Sequence, residues 1–206
     1  MENTKDVPFE LPRFYPLTTT SEHPEEEQNE FFTKLSEQVG VWSRYNFGIQ
    51  DSWRPAMGML EELNELQEGL NEFDRDKMLD AVADVTIYMA DYYSIRGWDM
   101  GGSWNATVTR VLDASELHVE ISRLCRLLAR FHLKGAQGIR GGANKNDVSM
   151  QETCAATLYF LERICQFLNV DYIATIATVW RTVSKRDWRK NRDDAHKVAE
   201  TEAKTS

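Results

Sequence analysis

Four carboxylates at helical spacing lie on two consecutive apolar segments of the sequence. The segment GMLEELNELQEGL places Glu62 and Glu65 one turn apart, with a glycine near each end. The next segment, MLDAVADVTIYMADYYSI, is apolar or small on nearly every face, yet it contains Asp80 and Asp84. An ionised carboxylate among apolar side chains is costly unless a cation stands beside it. These four acids therefore require a positively charged partner.

A metal ion is one candidate for that partner. Between Ala56 and Ile95 the only basic residues are Arg75 and Lys77, and both are expected near the turn between two helices. Clustered carboxylate oxygens suit Mg²⁺, with Mn²⁺ as a substitute. A carboxylate-bridged di-iron site would need Glu-x-x-His pairs, which the four histidines do not form. The acids are therefore predicted to face inward and to hold Mg²⁺.

Two glycines share the helical stripe of the glutamates. Gly58 and Gly69 fall on one edge with Glu62 and Glu65. Their lack of a side chain leaves room for either a ligand or a closely packed helix. The alternative for the two glutamates is a solvated helix flank. That is the preferred interpretation for three neighbouring acids, Glu61, Glu68 and Glu72.

Apolar residues at steps of three and four predict an all-α fold, and no segment has the period of a strand. Four helices are predicted in the first half of the chain. The first begins at Glu25, the second runs from about Ala56 to Phe73, the third from near Asp76 to near Gly97, and the fourth from about Met100 to Leu112. The segment between the first two helices, from Arg44 to Pro55, is predicted to be a loop.

The later part of the chain resembles the earlier part. IYM at 87–89 resembles LYF at 158–160, and GWD at 97–99 resembles NVD at 169–171. The suspected repeat has no acids at the positions of Asp80 and Asp84, where Gln151 and Ala155 stand. The glycine-rich segment KGAQGIRGGANKND (134–147) lacks the ending of a phosphate-binding loop and is predicted to be a flexible connection.

These patterns predict one compact domain with two unequal halves. Residues 1–25 are predicted to form an extended or disordered arm, 26–112 a helical half that contains the four acids, 113–192 a degenerate copy that completes the domain as a pseudo-dimer, and 193–206 a polar tail.

Charge and composition restrict the partners. A net charge of −9 over 206 residues argues against nucleic acid or an anionic membrane as the main partner. It does not argue against a small anionic substrate, because a bound metal inverts the local charge. Three cysteines without a C-x-x-C pair indicate a reducing, cytoplasmic location. No apolar run is long enough to span a membrane, and the acidic amino terminus is not a secretory signal.

The motif W-x2-Y-N-F, followed by W-R-P-x-M-G-M-L-E-E-L-N-E-L and L-D-A-V-A-D-V-T-I-Y-M-A-D, resembles the MazG-like all-α nucleoside triphosphate pyrophosphohydrolases. The family motif is E-x-x-E followed by E-x-x-D. Glu62 and Glu65 match its first half, and Asp84 matches its final aspartate. Ala81 stands where the family has glutamate, and Asp80, on the same helix face as Asp84, is the candidate replacement. The match covers residues 30–112 well and the remainder weakly.

The resemblance implies Mg²⁺-dependent hydrolysis of a nucleoside or deoxynucleoside triphosphate to the monophosphate and pyrophosphate, which would clean or shape the nucleotide pool. Glu62 or Glu65 would accept the proton of the attacking water. It also implies a homo-oligomer, most simply a dimer. Two alternatives stay open: an enzyme of the dimeric dUTPase type in which fused halves share one site, and a catalytically inactive helical adaptor that binds a protein partner.

Two further sets of residues are candidates for contacts with the substrate. In SKRDWRKNR, Lys185 and Arg189 are i,i+4 neighbours that are predicted to meet the phosphates, unless this run is only a basic helix end. In the loop before the acidic helix, three residues are predicted to bind the base: Asn46, Gln50 and Trp53. For Trp53 the alternative of a core position in the helix pair stays open. Trp42 and Phe47 are instead predicted to belong to the core.

Overall fold

The computed structural model describes residues 25–104, 116–138 and 142–190. Within these ranges the chain forms seven α-helices and no strand, which confirms the predicted all-α class. The helices are α1 (Glu25–Phe47), α2 (Trp53–Glu72), α3 (Arg75–Arg96), α4 (Met100–Trp104), α5 (Leu117–Gln137), α6 (Gly142–Phe167) and α7 (Tyr172–Val183). None of the described helices combines the length and apolarity that crossing a bilayer requires.

Local sequence signals explain where α2 begins and where α3 begins and ends. The side chain of Asp74 caps α3 by accepting a hydrogen bond from the Lys77 backbone N–H at 3.1 Å. Gly97 ends α3 in the left-handed conformation, with φ of 63°. At the start of α2, Pro55 lies within the first turn, where a missing N–H removes no helical hydrogen bond. The helix therefore begins earlier than its predicted start at Ala56.

Two predicted loops are shorter than the sequence indicated. Because α1 continues through Phe47, only residues 48–52 separate it from α2, and the predicted loop from Arg44 to Pro55 is wrong at both ends. The flexible connection predicted over 134–147 is likewise wrong at its ends, because α5 runs to Gln137 and α6 starts at Gly142. Of the predicted fourth helix, the described residues include α4, and the remainder lies outside the described ranges.

The two glycines of α2 allow α3 to pack closely against it. A Cβ added at Gly69 would lie 2.9 Å from the Cγ atom and 3.2 Å from the backbone nitrogen of Met78, near the turn. One added at Gly58 would lie 2.5 Å from the ring of Tyr88, near the other end of the pair. The helices are therefore antiparallel, and of the two predicted uses of these glycines the structure shows close helix packing.

One buried apolar cluster draws side chains from both halves of the chain, including Phe32, Leu63, Leu124, Leu158 and Trp180. Helices α2 and α3 form one antiparallel pair, and α5 packs on α6 and on α2. The acidic pair is thus covered by helices that lie much later in the sequence.

The ends of α3 and α6 share a pattern of backbone hydrogen bonds. The N–H of Trp98 donates to the Tyr93 carbonyl at 3.0 Å, and the N–H of Val170 donates to the Cys165 carbonyl at 3.0 Å. The corresponding residues are 72 positions apart, as the suspected repeat predicts. Many helices end in this way, so the shared pattern does not by itself test the repeat.

Helix α1 crosses α3 at a close contact that also involves polar groups. A Cβ at Gly40 would lie 1.8 Å from the Oγ atom of Ser94, so only glycine fits. Nearby, the hydroxyl of Ser43 donates to the carboxylate of Asp91 at 3.0 Å and accepts from the amide of Gln50 at 2.8 Å. Asp91 is 8 % exposed, and burial raises its pKa to about 6.

Asp91→Asn is expected to stabilise the fold at neutral and alkaline pH by a few degrees of Tm. The pKa of Asp91 is about 6 in the folded chain against the ordinary 3.8, so ionisation above pH 6 weakens folding. The difference in Tm between the variant and the wild type should disappear as the pH falls toward 4, because Asp91 is then protonated and uncharged in the folded chain. Thermal melts of both proteins from pH 4 to 8 check the result. A difference in Tm that does not change with pH would contradict it.

Candidate metal and phosphate site

The four predicted acids lie on the α2–α3 pair and are electrostatically coupled. Burial raises the pKa of Glu62 to about 8, and the charges of Asp84, Glu65, Glu61 and Asp80 add to the shift in that order. Burial, followed by the charge of Asp80, raises the pKa of Asp84 to about 7. Glu62 and Asp84 are partly buried, whereas Glu65 and Asp80 are exposed. The prediction that the acids face inward is therefore wrong for Glu65 and Asp80, which lie on the solvent side of the helix pair. We call these four residues the carboxylate cluster.

The position that departs from the family motif lies in the core. Ala81 is 1 % exposed, whereas Asp80 is exposed and exerts the largest charge effect on Asp84. Asp80 is therefore electrostatically part of the cluster, and its service as a metal ligand stays a prediction.

The donor set of the cluster fits a hard cation. All four groups are oxygen donors, and in the described ranges none of them forms a hydrogen bond or an ion pair with another side chain. In those same ranges no three acidic, histidine or cysteine side chains stand close enough to hold a metal ion as they are placed. Mg²⁺ would thus have to draw the carboxylates together, which its double charge favours against their mutual repulsion.

The two basic residues in the first turn of α3, Arg75 and Lys77, bind partners outside the carboxylate cluster. Lys77 pairs with Glu68 at 2.8 Å and with Glu72 at 3.3 Å. Arg75 donates to the carbonyl of Leu168 at 3.1 Å. Their absence from the cluster agrees with the inference that its charge must be met by a cation from elsewhere.

Arg186 supplies a guanidinium near the cluster. Its charge opposes the upward shift that burial and Asp80 impose on the pKa of Asp84, and it has the same effect on Tyr88. The Nε atom of Arg186 is buried without a hydrogen-bond acceptor. A guanidinium that faces acids and has an unused donor is suited to a phosphate oxygen.

The predicted pairing of Lys185 with Arg189 is wrong as a helical i,i+4 arrangement, because α7 ends at Val183 and the run continues as turns. Lys185 is exposed, and the guanidinium of Arg189 lies 5.0 Å from the centre of the Tyr45 ring. Sequence reasoning missed Arg186, although the basic run containing it was an available signal. The end of α7 determines which basic residue turns inward.

The segment that carries Arg186 is held by helix α1. We call residues 184–190 the strap. The indole N–H of Trp42 donates to the Arg186 carbonyl at 3.2 Å, and the hydroxyl of Tyr45 donates to the Asp187 carboxylate at 3.3 Å. The backbone N–H of Trp188 donates to the side-chain oxygen of Asn46 at 2.8 Å.

Two of the three predicted base-binding residues have internal partners. Besides accepting from the strap, Asn46 donates its amide to the Trp42 carbonyl at 3.0 Å, and Gln50 donates to Ser43. Trp53 is 52 % exposed, with the guanidinium of Arg54 5.7 Å from its ring centre. Of the three, Trp53 has the largest free surface for stacking on a base.

The two aromatics that were predicted to belong to the core lie at its edge. Trp42 is partly buried and packs edge-on against Trp180, with ring centres 5.7 Å apart. Phe47 is 45 % exposed and lies beside Trp42 and Trp188. Both residues therefore connect the core to the strap.

Tyr88 is a further member of the site that sequence reasoning did not select. Its ring lies over Gly58, and burial, followed by the charges of Glu62 and Asp84, raises the pKa of its hydroxyl to about 12. At neutral pH the hydroxyl is protonated, so it can donate a hydrogen bond at the border of the cluster. The glycine beneath it was the available signal.

The sequence matches no protein-family model, no curated protein and no solved structure. A functional assignment therefore depends on the chemistry of the carboxylate cluster and of Arg186.

Proposed function

We propose that this chain is a Mg²⁺-dependent pyrophosphohydrolase that converts a nucleoside or deoxynucleoside triphosphate to the monophosphate and pyrophosphate. The observation that carries the proposal is the carboxylate cluster of α2 and α3, which has no ion-paired partner in the described ranges and has Arg186 nearby. Acids for a metal and a guanidinium for a phosphate are the two charge types that a metal–triphosphate complex requires. The MazG-like resemblance implies the same activity.

The side chains have distinct roles in this proposal. When bound, Mg²⁺ would neutralise the triphosphate and acidify a water molecule. Glu62, with Glu65 as its alternate, takes a proton from the attacking water. The raised pKa of Glu62 would fall beside bound Mg²⁺, so that its carboxylate is ionised and able to accept that proton. The water oxygen bonds to the α-phosphorus, the bond to the bridging oxygen breaks, and pyrophosphate leaves. Arg186 donates to phosphate oxygens, and Trp53 offers a surface to the base.

A nucleotide panel tests the proposal directly. The purified chain with Mg²⁺ is incubated with each of the eight common ribo- and deoxyribonucleoside triphosphates, and monophosphate and pyrophosphate are measured. Equal amounts of both products from at least one nucleotide are expected, together with loss of activity in chelator. Release of orthophosphate instead, or no product from any of the eight, would overturn the proposal.

The inactive adaptor is the second candidate, and two observations favour it. Position 81 holds a core alanine where the family motif has an acid, and the described side chains include no preformed set of three metal ligands. An adaptor of this kind would bind no Mn²⁺ through Glu62 and Asp84. Equilibrium binding of Mn²⁺, followed by electron paramagnetic resonance, separates the two functions.

Mg²⁺ at millimolar concentration is expected to raise Tm by several degrees relative to chelator. A ligand that binds only the folded chain stabilises it by about 1.4 kcal/mol at ten times its Kd, and ~1 kcal/mol shifts Tm by about 2–4 °C at this size. Melting curves with Mg²⁺, Mn²⁺ and chelator measure the effect. The Asp84→Asn variant should show a smaller increase in Tm. A wild-type Tm that is the same with Mg²⁺, with Mn²⁺ and with chelator would contradict a metal site.

We also propose that the α5–α6 half is a degenerate copy of the α2–α3 half that completes a pseudo-dimer. The hydrogen bonds at the ends of α3 and α6 agree with this relation, although many unrelated helices end in the same way. The support for it is the division of charge, since the copy has Gln151 and Ala155 in place of acids while Arg186 lies in the later half. In this arrangement one half supplies carboxylates and the other supplies apolar cover and a cation.

A further inference from the structure

Three neighbouring side chains of α1 hold three consecutive residues of the strap. Trp42 binds the carbonyl of Arg186, Tyr45 binds the side chain of Asp187, and Asn46 binds the backbone N–H of Trp188. Each contact joins residues that are 142 or 144 positions apart in the sequence. These contacts hold the strap at the Arg186 carbonyl and at the two residues that follow it.

The strap has no regular structure of its own that would direct Arg186. It follows the end of α7, whose Val183 carbonyl accepts a hydrogen bond from the Arg186 N–H at 3.0 Å. The end of α7 therefore holds the amide side of Arg186, and Trp42 of α1 holds its carbonyl. The charge of the guanidinium opposes the upward pKa shifts of Asp84 and Tyr88 in α3, and its buried Nε atom has no acceptor. A buried donor without an acceptor is rare in folded proteins, and a bound anion would supply the missing acceptor.

We infer that Trp42, Tyr45 and Asn46 are positioning residues, which hold the strap so that Arg186 meets an oxygen of a phosphate chain bound at the carboxylate cluster. The inference rests on the proposed function for the identity of that anion. It gives Asn46 a role other than reading the base, because both ends of its amide are used within the α1–strap contact. A guanidinium held in place before binding loses less conformational freedom when the anion arrives.

A double-mutant cycle tests the coupling between Asn46 and Arg186. Binding of inorganic triphosphate in the presence of Mg²⁺ is measured by calorimetry for the wild type, Asn46→Ala, Arg186→Gln and the double variant. Arg186→Gln is expected to weaken binding by roughly ten- to a hundredfold, as for loss of a charge-assisted contact. Asn46→Ala is expected to weaken it by about three- to tenfold. In the Arg186→Gln background, Asn46→Ala should have no further effect.

Two additional variants separate positioning from general stability. Gln38→Ala removes another hydrogen bond from α1, the one accepted from the Trp180 indole at 3.2 Å, without touching the strap. Its affinity for triphosphate should stay within twofold of wild type. Tyr45→Phe keeps the ring beside Arg189 and removes only the hydroxyl bond to the strap. If Asn46→Ala does not fold, Tyr45→Phe replaces it in the double-mutant cycle with Arg186→Gln.

The outcomes distinguish this inference from the proposed function. Additive losses in the double variant, or an equal loss in Gln38→Ala, would show a structural role and overturn the inference. A wild-type chain that does not bind triphosphate would also overturn it. A chain that binds triphosphate with the expected coupling but hydrolyses no nucleotide would refute the proposed function and leave the inference standing.

Discussion

Glu62→Gln is expected to lower kcat by about a thousandfold or more while leaving the helical fold intact. The substitution keeps the size of the side chain and removes its charge, so a metal ligand and the proposed proton acceptor are lost together. General-base catalysis alone contributes about 10²–10⁴-fold. Steady-state kinetics on the preferred nucleotide, together with circular dichroism, measure the two parts of this expectation.

Stability distinguishes an inactive enzyme from an unfolded one. Glu62 is a partly buried acid whose neighbours are also acidic, so Glu62→Gln should keep or raise Tm in chelator. Glu61→Gln is the matched control, because it removes the same charge from the adjacent exposed position. That variant should retain near wild-type activity. Turnover by Glu62→Gln at a rate close to wild type would show that the site is assigned to the wrong residues.

Gly40→Ala is expected to lower the free energy of unfolding by about 1–3 kcal/mol, which is typical of overpacking. In an ordinary helix interior the same change stabilises by ~1 kcal/mol. The sign reverses here because the new Cβ would lie 1.8 Å from the Oγ atom and 2.6 Å from the Cβ atom of Ser94. Urea denaturation followed by circular dichroism measures the loss.

A second substitution should restore what Gly40→Ala removes. Ser94→Gly clears the space on α3, so the double variant should be more stable than the sum of the two single changes predicts. Gly135→Ala in α5 is the control, since its Cβ would meet the nearest atom, of Asp147, at an ordinary 3.4 Å. That control should show no loss. Equal stability of the wild type and Gly40→Ala would mean that α1 and α3 are not packed so closely.

The helices that sequence reasoning predicted, and the electrostatic coupling of the four acids, depend on local information. The apolar period of α2 and α3, the cap at Asp74 and the stop at Gly97 are all readable within a few residues. The carboxylate cluster followed from the same periodicity, because residues three or four apart share a helix face. For these features, neighbours along the chain are also neighbours in space.

The features that were missed depend on contacts between distant segments. Arg186 lies near Asp84, 102 positions earlier, and a pattern in SKRDWRKNR does not show where α7 ends. Likewise, the sequence around Asn46 does not reveal that its amide would be occupied by the strap. For the same reason, the sequence does not show whether a ligand or a neighbouring helix occupies the space beside Gly58. The structure places the ring of Tyr88 there.

The long separation between the acids and the strap has a consequence during synthesis. Domains fold amino-terminal part first while the ribosome adds about 5–20 residues per second. The 102 residues from Asp84 to Arg186 therefore take roughly 5–20 seconds to translate at that pace. During this interval the nascent chain carries the acids of the α2–α3 pair without the guanidinium. Under the proposed function, the nascent chain therefore presents its metal-binding acids before its phosphate-binding guanidinium.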